Sequence, residues 1–257
     1  MTGTLYLVPN TLDFGMSPAE AGARGMPDLQ DVLPLGAIRI AARLPCWVAE
    51  NAKTTRAFLK RVNEVVPLVQ PLQAITITEL PRAHKSAEAT PARSLHELLA
   101  PALGGQDIGL ISEAGMPAIA DPGAALVQAA HTLNVRVEPL SGPSSLMLAL
   151  ATSGLNGQSF AFVGYLPVDG TARLARIREL ETLSRRAQQT QLMIETPYRN
   201  AALLSALLSA LSGNTRLAVS CGLTLSQGWN RSDTVAAWKA RPASIPNDTP
   251  AVFSLLA

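Results

Sequence analysis

The sequence predicts an α/β protein, and three observations carry that expectation. Short apolar runs alternate with helix-like segments along most of the 257 residues. Hydrophobic residues make up 47% and aromatics only 4%, so small aliphatic side chains must fill the core, as suits helices packed on parallel strands. The third is the stretch from Ile108 to Gly123, where an apolar run (Ile108, Leu110, Ile111) meets a loop bent at Gly115, Pro117, Pro122 and Gly123 before a helix-like segment begins at Ala124. Open α/β sheets hold ligands at such loops, outside the carboxyl ends of the strands.

The elements follow in order. Leu5 to Val8 reads as a first strand that opens into Pro9-Asn10-Thr11. Asp28 to Leu44 has helical spacing of Leu29, Val32, Leu33, Ile38 and Ile40, interrupted near Pro34 and Gly36. Trp47 to Ala49 is a second strand ending in Glu50-Asn51, and Thr54 to Asn63 is a helix with Phe58, Leu59 and Val62 facing a core. Ile75 to Ile77 alternates as a third strand, Leu80 to Ser94 is a long polar loop, and Leu95 to Leu103 is a helix stopped by Gly104-Gly105. After the central strand and helix, Val135 to Glu138 is a fifth strand.

Punctuation thickens at Ser141-Gly142-Pro143-Ser144-Ser145, which places a domain boundary there and divides the chain into residues 1–142 and 143–257. Beyond it come a helix (Leu146 to Thr152), a strand (Phe160 to Val163), an arginine-rich helix (Arg173 to Arg186) and a strand (Gln191 to Ile194). The loop Glu195 to Asn200 leads into a helix from Ala201 to Leu211, then a strand at Arg216 to Ser220, a polar loop from Gly222 to Ser232, and a terminal strand at Ala251 to Leu256.

Several function classes drop out. The first strand lacks the Gly-x-Gly-x-x-Gly of a dinucleotide fold, and no Gly-Lys-Ser/Thr phosphate loop occurs. Two cysteines, Cys46 and Cys221, make no disulfide framework, and no signal peptide is visible, so a reducing cytoplasm is expected. Pro139 to Val168 carries no charge and exceeds the roughly 20 residues that span a bilayer, yet its glycines, prolines and serines break it into separate pieces, so no membrane span is expected. His84, His96 and His131 lack metal-ligand spacing, so no metal is expected. A net charge of +2 permits an RNA partner without requiring one, and the arginine-rich helix could serve either phosphates or a solvated face.

The motifs have a resemblance. Ser112-Glu113-Ala114-Gly115-Met116-Pro117 with Asp121-Pro122-Gly123 resembles the Ser-Asp-Ala-Gly-Thr-Pro … Asp-Pro-Gly signature of the ribosomal RNA small-subunit 2′-O-methyltransferase I branch of the tetrapyrrole methylase superfamily. In the same order, Gly3 to Pro9 resembles that family's opening strand, Ser141 to Ser145 its Pro-Gly-Pro loop, Gly164-Tyr165-Leu166-Pro167 its Gly-Phe-Leu-Pro, and Glu195 to Arg199 its Glu-x-Pro/Thr-His-Arg loop. The resemblance implies two α/β domains, a mainly parallel N-terminal sheet and a mixed C-terminal one, with S-adenosylmethionine in the cleft between them and a homodimer as the usual assembly. It also implies a methyl acceptor, ribosomal RNA in that branch. The alternatives are a tetrapyrrole-like or other small molecule, or a non-catalytic protein that keeps only the cofactor pocket.

By that resemblance the cofactor contacts are Pro9, Ser112, Ala114, Gly115, Met116, Pro117, Gly142, Ser144 and Ser145, with Met193, Ile194, Pro250 and Ala251 walling the adenine. Loops without bulky side chains let backbone groups approach a zwitterionic ligand. Gly115→Trp is therefore expected to abolish cofactor binding and spare the fold. Proton removal from a ribose hydroxyl calls for a general base, and Glu50, Glu113 and Glu195 are the candidates. Two departures fall among them: the branch's Glu-Asp-Thr-Arg is interrupted here as Glu50-Asn51-Ala52-Lys53-Thr54-Thr55-Arg56, and its central-loop aspartate is Glu113.

Overall fold

A computed structural model describes residues 2–13, 28–81 and 92–257, which form two compact units divided after Ser144. The first unit runs β1 (Thr4–Leu7), α1 (Leu29–Val32), α2 (Leu35–Arg43), β2 (Cys46–Ala49), α3 (Ala52–Val65), β3 (Thr76–Glu79), α4 (Ala92–Leu103), β4 (Ile108–Ile111), α5 (Ala124–Thr132) and β5 (Arg136–Pro139). Its five strands are all parallel, in the order β3-β2-β4-β1-β5.

The strand period sorts the core into two layers. Tyr6, Trp47, Ala49 and Ile111 join Ile38, Phe58 and Leu59 on one side of the sheet. Leu5, Val48, Ile108 and Leu110 join Leu99 and Leu126 on the other. Central β4 is buried at all four positions, as a parallel strand covered by helices on both faces must be. Gly109 is required here by space: a Cβ would lie 2.7 Å from the Trp47 ring, which lies across β4 and meets Phe58 edge-on at 6.2 Å.

Pro34 divides the helical stretch read from Asp28 to Leu44. Asp28 caps α1 through the Gln30 N–H, Leu33 turns extended ahead of the proline, and Pro34 starts α2, where its missing N–H costs nothing. Most of the long polar loop, with His84, lies outside the described residues.

The second unit runs α6 (Ser145–Ser153), β6 (Phe160–Tyr165), α7 (Gly170–Ala187), β7 (Thr190–Ile194), α8 (Asn200–Ala210), β8 (Arg216–Cys221), β9 (Trp229–Thr234), α9 (Val235–Ala240) and β10 (Ala251–Leu256). The strand order is β6-β7-β10-β8-β9, with β6 and β7 parallel and the remaining pairs antiparallel, a mixed sheet. The polar loop read from Gly222 to Ser232 is corrected in its second half, because Trp229–Thr234 is a full edge strand on β8. Its sequence, Trp-Asn-Arg-Ser-Asp-Thr, has almost no apolar alternation because an edge strand over water needs little. Trp229 and the Arg231 guanidinium, 4.0 Å from the Trp238 ring centroid, tie it to α9.

One buried carboxylate roots this unit. Glu181 on α7 accepts the Ser212 N–H at 2.8 Å and a short bond from the Thr215 hydroxyl, satisfying the turn that starts β8. Burial alone would raise its pKa, but those two donors outweigh burial and hold it below the usual carboxylate value. No helix among the described residues is long and apolar enough to cross a membrane.

Candidate active site at the carboxyl edge of the parallel sheet

The loops that leave β1, β2, β4 and β5 converge because parallel strands put all their carboxyl ends on one edge. Asn10 is the staple between two of them. It forms an antiparallel bridge with Gly115 (N···O 2.9 and 3.2 Å), and its buried Nδ2 donates to the carbonyls of Ser112 and Glu113 at 3.1 and 3.0 Å. Gly142, after β5, sits so close to Pro9 that a Cβ would fall 2.2 Å from the proline's own Cβ. Pro9, Ser112 to Pro117 and Gly142 are thereby brought together, whereas nothing in their spacing along the chain says which loops touch.

Glu50 and Glu113 also meet here. Glu50 Oε2 accepts the Glu113 N–H at 3.0 Å, and Asn51 Nδ2 donates to Glu113 Oε1 at 2.9 Å. The Asn51 oxygen meanwhile caps α3 through the N–H groups of Lys53 and Thr54. The two departures from the family pattern are thus one contact: a longer acid at 113 reaches an amide at 51 that can donate to it, as an aspartate could not. Asn51→Asp is expected to replace this bond with a like-charge pair and cost about 1–2 kcal/mol near neutral pH. The penalty should fade as pH drops through the carboxylate range and one partner protonates; denaturant unfolding at the two pH extremes checks it, and an equal loss at both contradicts it.

A carboxylate absent from the candidate bases completes the cluster. Burial, then the charge of Glu50 and more weakly that of Glu113, push the Asp121 pKa up to about 6, against a pull downward from the Ser112 hydroxyl bond. The backbone around it is held in unusual conformations, with Ala118 and Ala120 at φ 66° and 65° and Gly123 at φ 132°. Left-handed conformations at non-glycine residues persist only where the surroundings over-determine them, and they cluster at functional sites. Asp121 stood inside the quoted motif, but its sequence position carried no sign of the two neighbouring charges.

The second unit holds the remaining candidates. Glu195, its side chain 1% exposed, accepts both Nε and Nη2 of Arg199 at 3.0 and 2.6 Å and the Thr196 N–H at 2.8 Å, so its carboxylate is taken up in fastening its own loop. Met193 and Ile194 sit on β7 opposite Phe253 and Val252 of β10. Met193 is wholly buried among Leu203, Leu207 and Phe253, which makes its side chain core and leaves Ile194 the more accessible of the two. Pro250 accepts the Gly222 N–H at 2.9 Å just before Ala251 enters β10. Ser144 and Ser145 are half-buried at the division between the units. Among the described residues, no group of three or more His, Cys, Asp or Glu side chains could hold a metal ion.

The expectation for Gly115→Trp needs correction. Gly115 is buried with φ +68°, in the bridge with Asn10, and a Cβ there would already press on Leu12 at 3.3 Å. A tryptophan would unseat the loop itself, so it does not separate binding from folding.

A model of the family described as Tetrapyrrole (Corrin/Porphyrin) Methylases matches residues 27–227, most of the chain. The chain belongs to the tetrapyrrole methylases. Among curated relatives of this tetrapyrrole methylase, the "Ribosomal RNA small subunit methyltransferase I" of Mesorhizobium japonicum is 38% identical over 154 residues, 60% of this chain and 49% of that protein. The protein of the same name from Micromonospora olivasterospora is 30% identical over 223 residues, 87% of this chain and 60% of that one. The chain spans about half the length of the first such relatives. Among solved structures, uroporphyrin-III C-methyltransferase from Thermus thermophilus, complexed with S-adenyl homocysteine, superposes with a TM-score of 0.51 at 17% identity, covering 99% of this chain and 97% of that one. At that identity the likeness shows a shared tetrapyrrole methylase fold.

Proposed function

We propose that this tetrapyrrole methylase is an S-adenosylmethionine-dependent methyltransferase that methylates ribosomal RNA on a ribose 2′-oxygen. The observation that carries the reading is that relatives 30–38% identical to the chain bear the name of small-subunit ribosomal RNA methyltransferases. The site suits the cofactor. Three carboxylates, Glu50, Glu113 and Asp121, crowd a loop edge of small residues, Ala114 and Gly115, and such an edge favours a cationic ligand that can approach backbone closely. When bound, S-adenosylmethionine supplies a methyl group on a positively charged sulfur. Pro9, Ser112, Ala114 to Pro117 and Gly142, which the structure brings to one edge of the first unit, would hold it there.

The protein's own work is then positioning and proton removal. Asn10 fixes the loops after β1 and β4 to each other, so the small-residue edge that would meet the cofactor is pre-arranged. Asp121 would accept the acceptor hydroxyl's proton at its carboxylate. A base whose pKa lies near 6 stays ionised at neutral pH while remaining basic enough to accept a proton. Glu50 and Glu113 sustain that basicity by their charge, and Glu195 holds the Thr196–Arg199 loop in shape. A homodimer and a cytoplasmic location complete the proposal, the first supported by the family resemblance and the second by where ribosomal RNA resides.

Two measurements test it. Calorimetric titration should show stoichiometric binding of S-adenosylmethionine, and no heat at millimolar cofactor would defeat the reading. Labelled methyl groups should enter the RNA of small ribosomal subunits taken from a strain lacking the gene. Incorporation confined to the small-molecule fraction would reassign the acceptor to the tetrapyrrole-like class that the fold neighbours act on.

A further inference from the structure

We propose that the loops leaving β6 and β7 form a stacking platform for an unpaired RNA strand, with Tyr165 and Tyr198 as its two faces. This deepens the methyl-transfer reading, on which it rests, by assigning a substrate-binding surface to the second unit. The chain has three tyrosines; Tyr6 is buried, Tyr165 ends β6 at 56% exposure, and Tyr198 stands on the loop after β7 at 69%. Val168, 65% exposed, lies on the loop that follows Tyr165. β6 and β7 are parallel neighbours with Tyr165 opposite Ile194, so both loops leave the same edge of the sheet side by side.

Several local features hold these rings outward. The register between β6 and β7 shifts between Phe162 and Tyr165, and Gly164 takes φ +72°, a bulge of the kind that re-aims a side chain. Arg173 of α7 then clamps the following turn by donating to the carbonyls of Pro167 and Val168 at 2.9 and 2.6 Å. On the other loop, the buried Glu195 carboxylate fixes Arg199, whose guanidinium carbon lies 5.5 Å from the Tyr198 ring centroid. Burying a carboxylate is expensive, and here it serves to hold an arginine against an exposed ring.

Exposed rings suit nucleobases, which all present a π-face; Tyr198 is backed by the Arg199 guanidinium, and Arg173 adds a positive charge at the turn that follows Tyr165. An unpaired strand fits better than a duplex, because in an A-form helix the base faces are already stacked on one another.

The test is fluorescence anisotropy with the whole chain and a fluorescein-labelled unpaired RNA of about 12 nucleotides, against a hairpin duplex of the same composition, at one fixed salt concentration. The wild type should prefer the unpaired strand. Tyr165→Ala and Tyr198→Ala should each weaken it by about 5- to 100-fold, while Tyr→Phe at either position stays within about twofold and hairpin binding does not move. Both side chains are exposed, so circular dichroism should show unchanged folding. Unaltered affinity in the alanine variants overturns the platform, and so does equal loss for strand and hairpin. A shift of the alanine variants from dimer to monomer in sedimentation, with RNA affinity intact, would assign the rings to a second copy of the chain instead. The methyl-transfer reading is judged separately. If wild type and variants bind cofactor and the wild type labels ribosomal RNA, failure of the anisotropy test sinks only the platform; labelling of small molecules alone sinks the RNA acceptor.

Discussion

Asp121→Asn is expected to abolish methyl transfer, by about 10²-fold or more, while making the protein more stable at neutral pH. The opposite signs come from one cause. Burial and the charges of Glu50 and Glu113 raise the Asp121 pKa from 3.8 to about 6, so the folded state resists ionising this group more than the unfolded chain does. Between those two pH values the folded protein binds more protons than the unfolded chain, and stability falls as pH rises through the interval. Above about 6 the full penalty is present; below 3.8 it has vanished. Two pH units correspond to about 3 kcal/mol, and solvent screening of a partly exposed carboxylate reduces this to about 1–2 kcal/mol.

The asparagine removes the penalty. Unfolding at about pH 8 should therefore show the variant more stable by about 1–2 kcal/mol, and at about pH 3 the two proteins should coincide. Its affinity for the cationic cofactor should fall only modestly, by less than about tenfold, since Glu50 and Glu113 still carry the site's negative charge. In the wild type, activity should rise with pH through an apparent pKa near 6. A variant that retains activity, or a wild-type profile flat through that region, would remove Asp121 from the chemistry.

The second large effect is structural. Arg61→Ala is expected to destabilise the first unit by about 3–5 kcal/mol. Arg61 on α3 reaches Asp13 Oδ2 at 2.9 Å and the Thr11 hydroxyl at 3.1 Å, and that hydroxyl donates to Asp13 Oδ1 at 2.6 Å. The side chains of Asp13 and Arg61 are 4% and 16% exposed, so removing the guanidinium takes this counter-charge from a carboxylate held away from water. An exposed pair would cost at most about 1 kcal/mol, and burial is what separates the two cases. Asp13→Asn combined with Arg61→Met should recover at least half of the loss, because a neutral amide needs no counter-charge. Thr11 and Asp13 continue the loop that carries Pro9 and Asn10, so the single variant should also bind S-adenosylmethionine more weakly. Chemical denaturation of the single and double variants measures the coupling, and a single-variant loss below about 1 kcal/mol would show that the pair behaves as a surface contact.

The alternation of strands and helices was legible wherever each element buries one face or both. Apolar spacing placed β2, α3, β4 and β7 to within a few residues, and Pro34 announced the break between α1 and α2. β9 escaped because Trp229–Thr234 needs neighbours on only one edge and keeps polar side chains. Of the site, the small-residue loops were legible as motifs. Met193 looked like a pocket wall until β10 and α8 closed over it.

What residue order carried was local: which runs alternate, where proline and glycine turn the chain, and which motifs recur in sequence. Those depend on neighbours a few positions apart. The strand order β3-β2-β4-β1-β5, the bridge from Asn10 to Gly115, the bond from Asn51 to Glu113 and the charge environment of Asp121 all join residues far apart along the chain, by 62 positions for Asn51 and Glu113. Such contacts have no local signature, because hydrogen bonds and carboxylate charges act through space at a few ångströms. Folding brings those groups within that range, and by burying Asp121 beside Glu50 and Glu113 it draws that carboxyl's pKa up toward neutral pH.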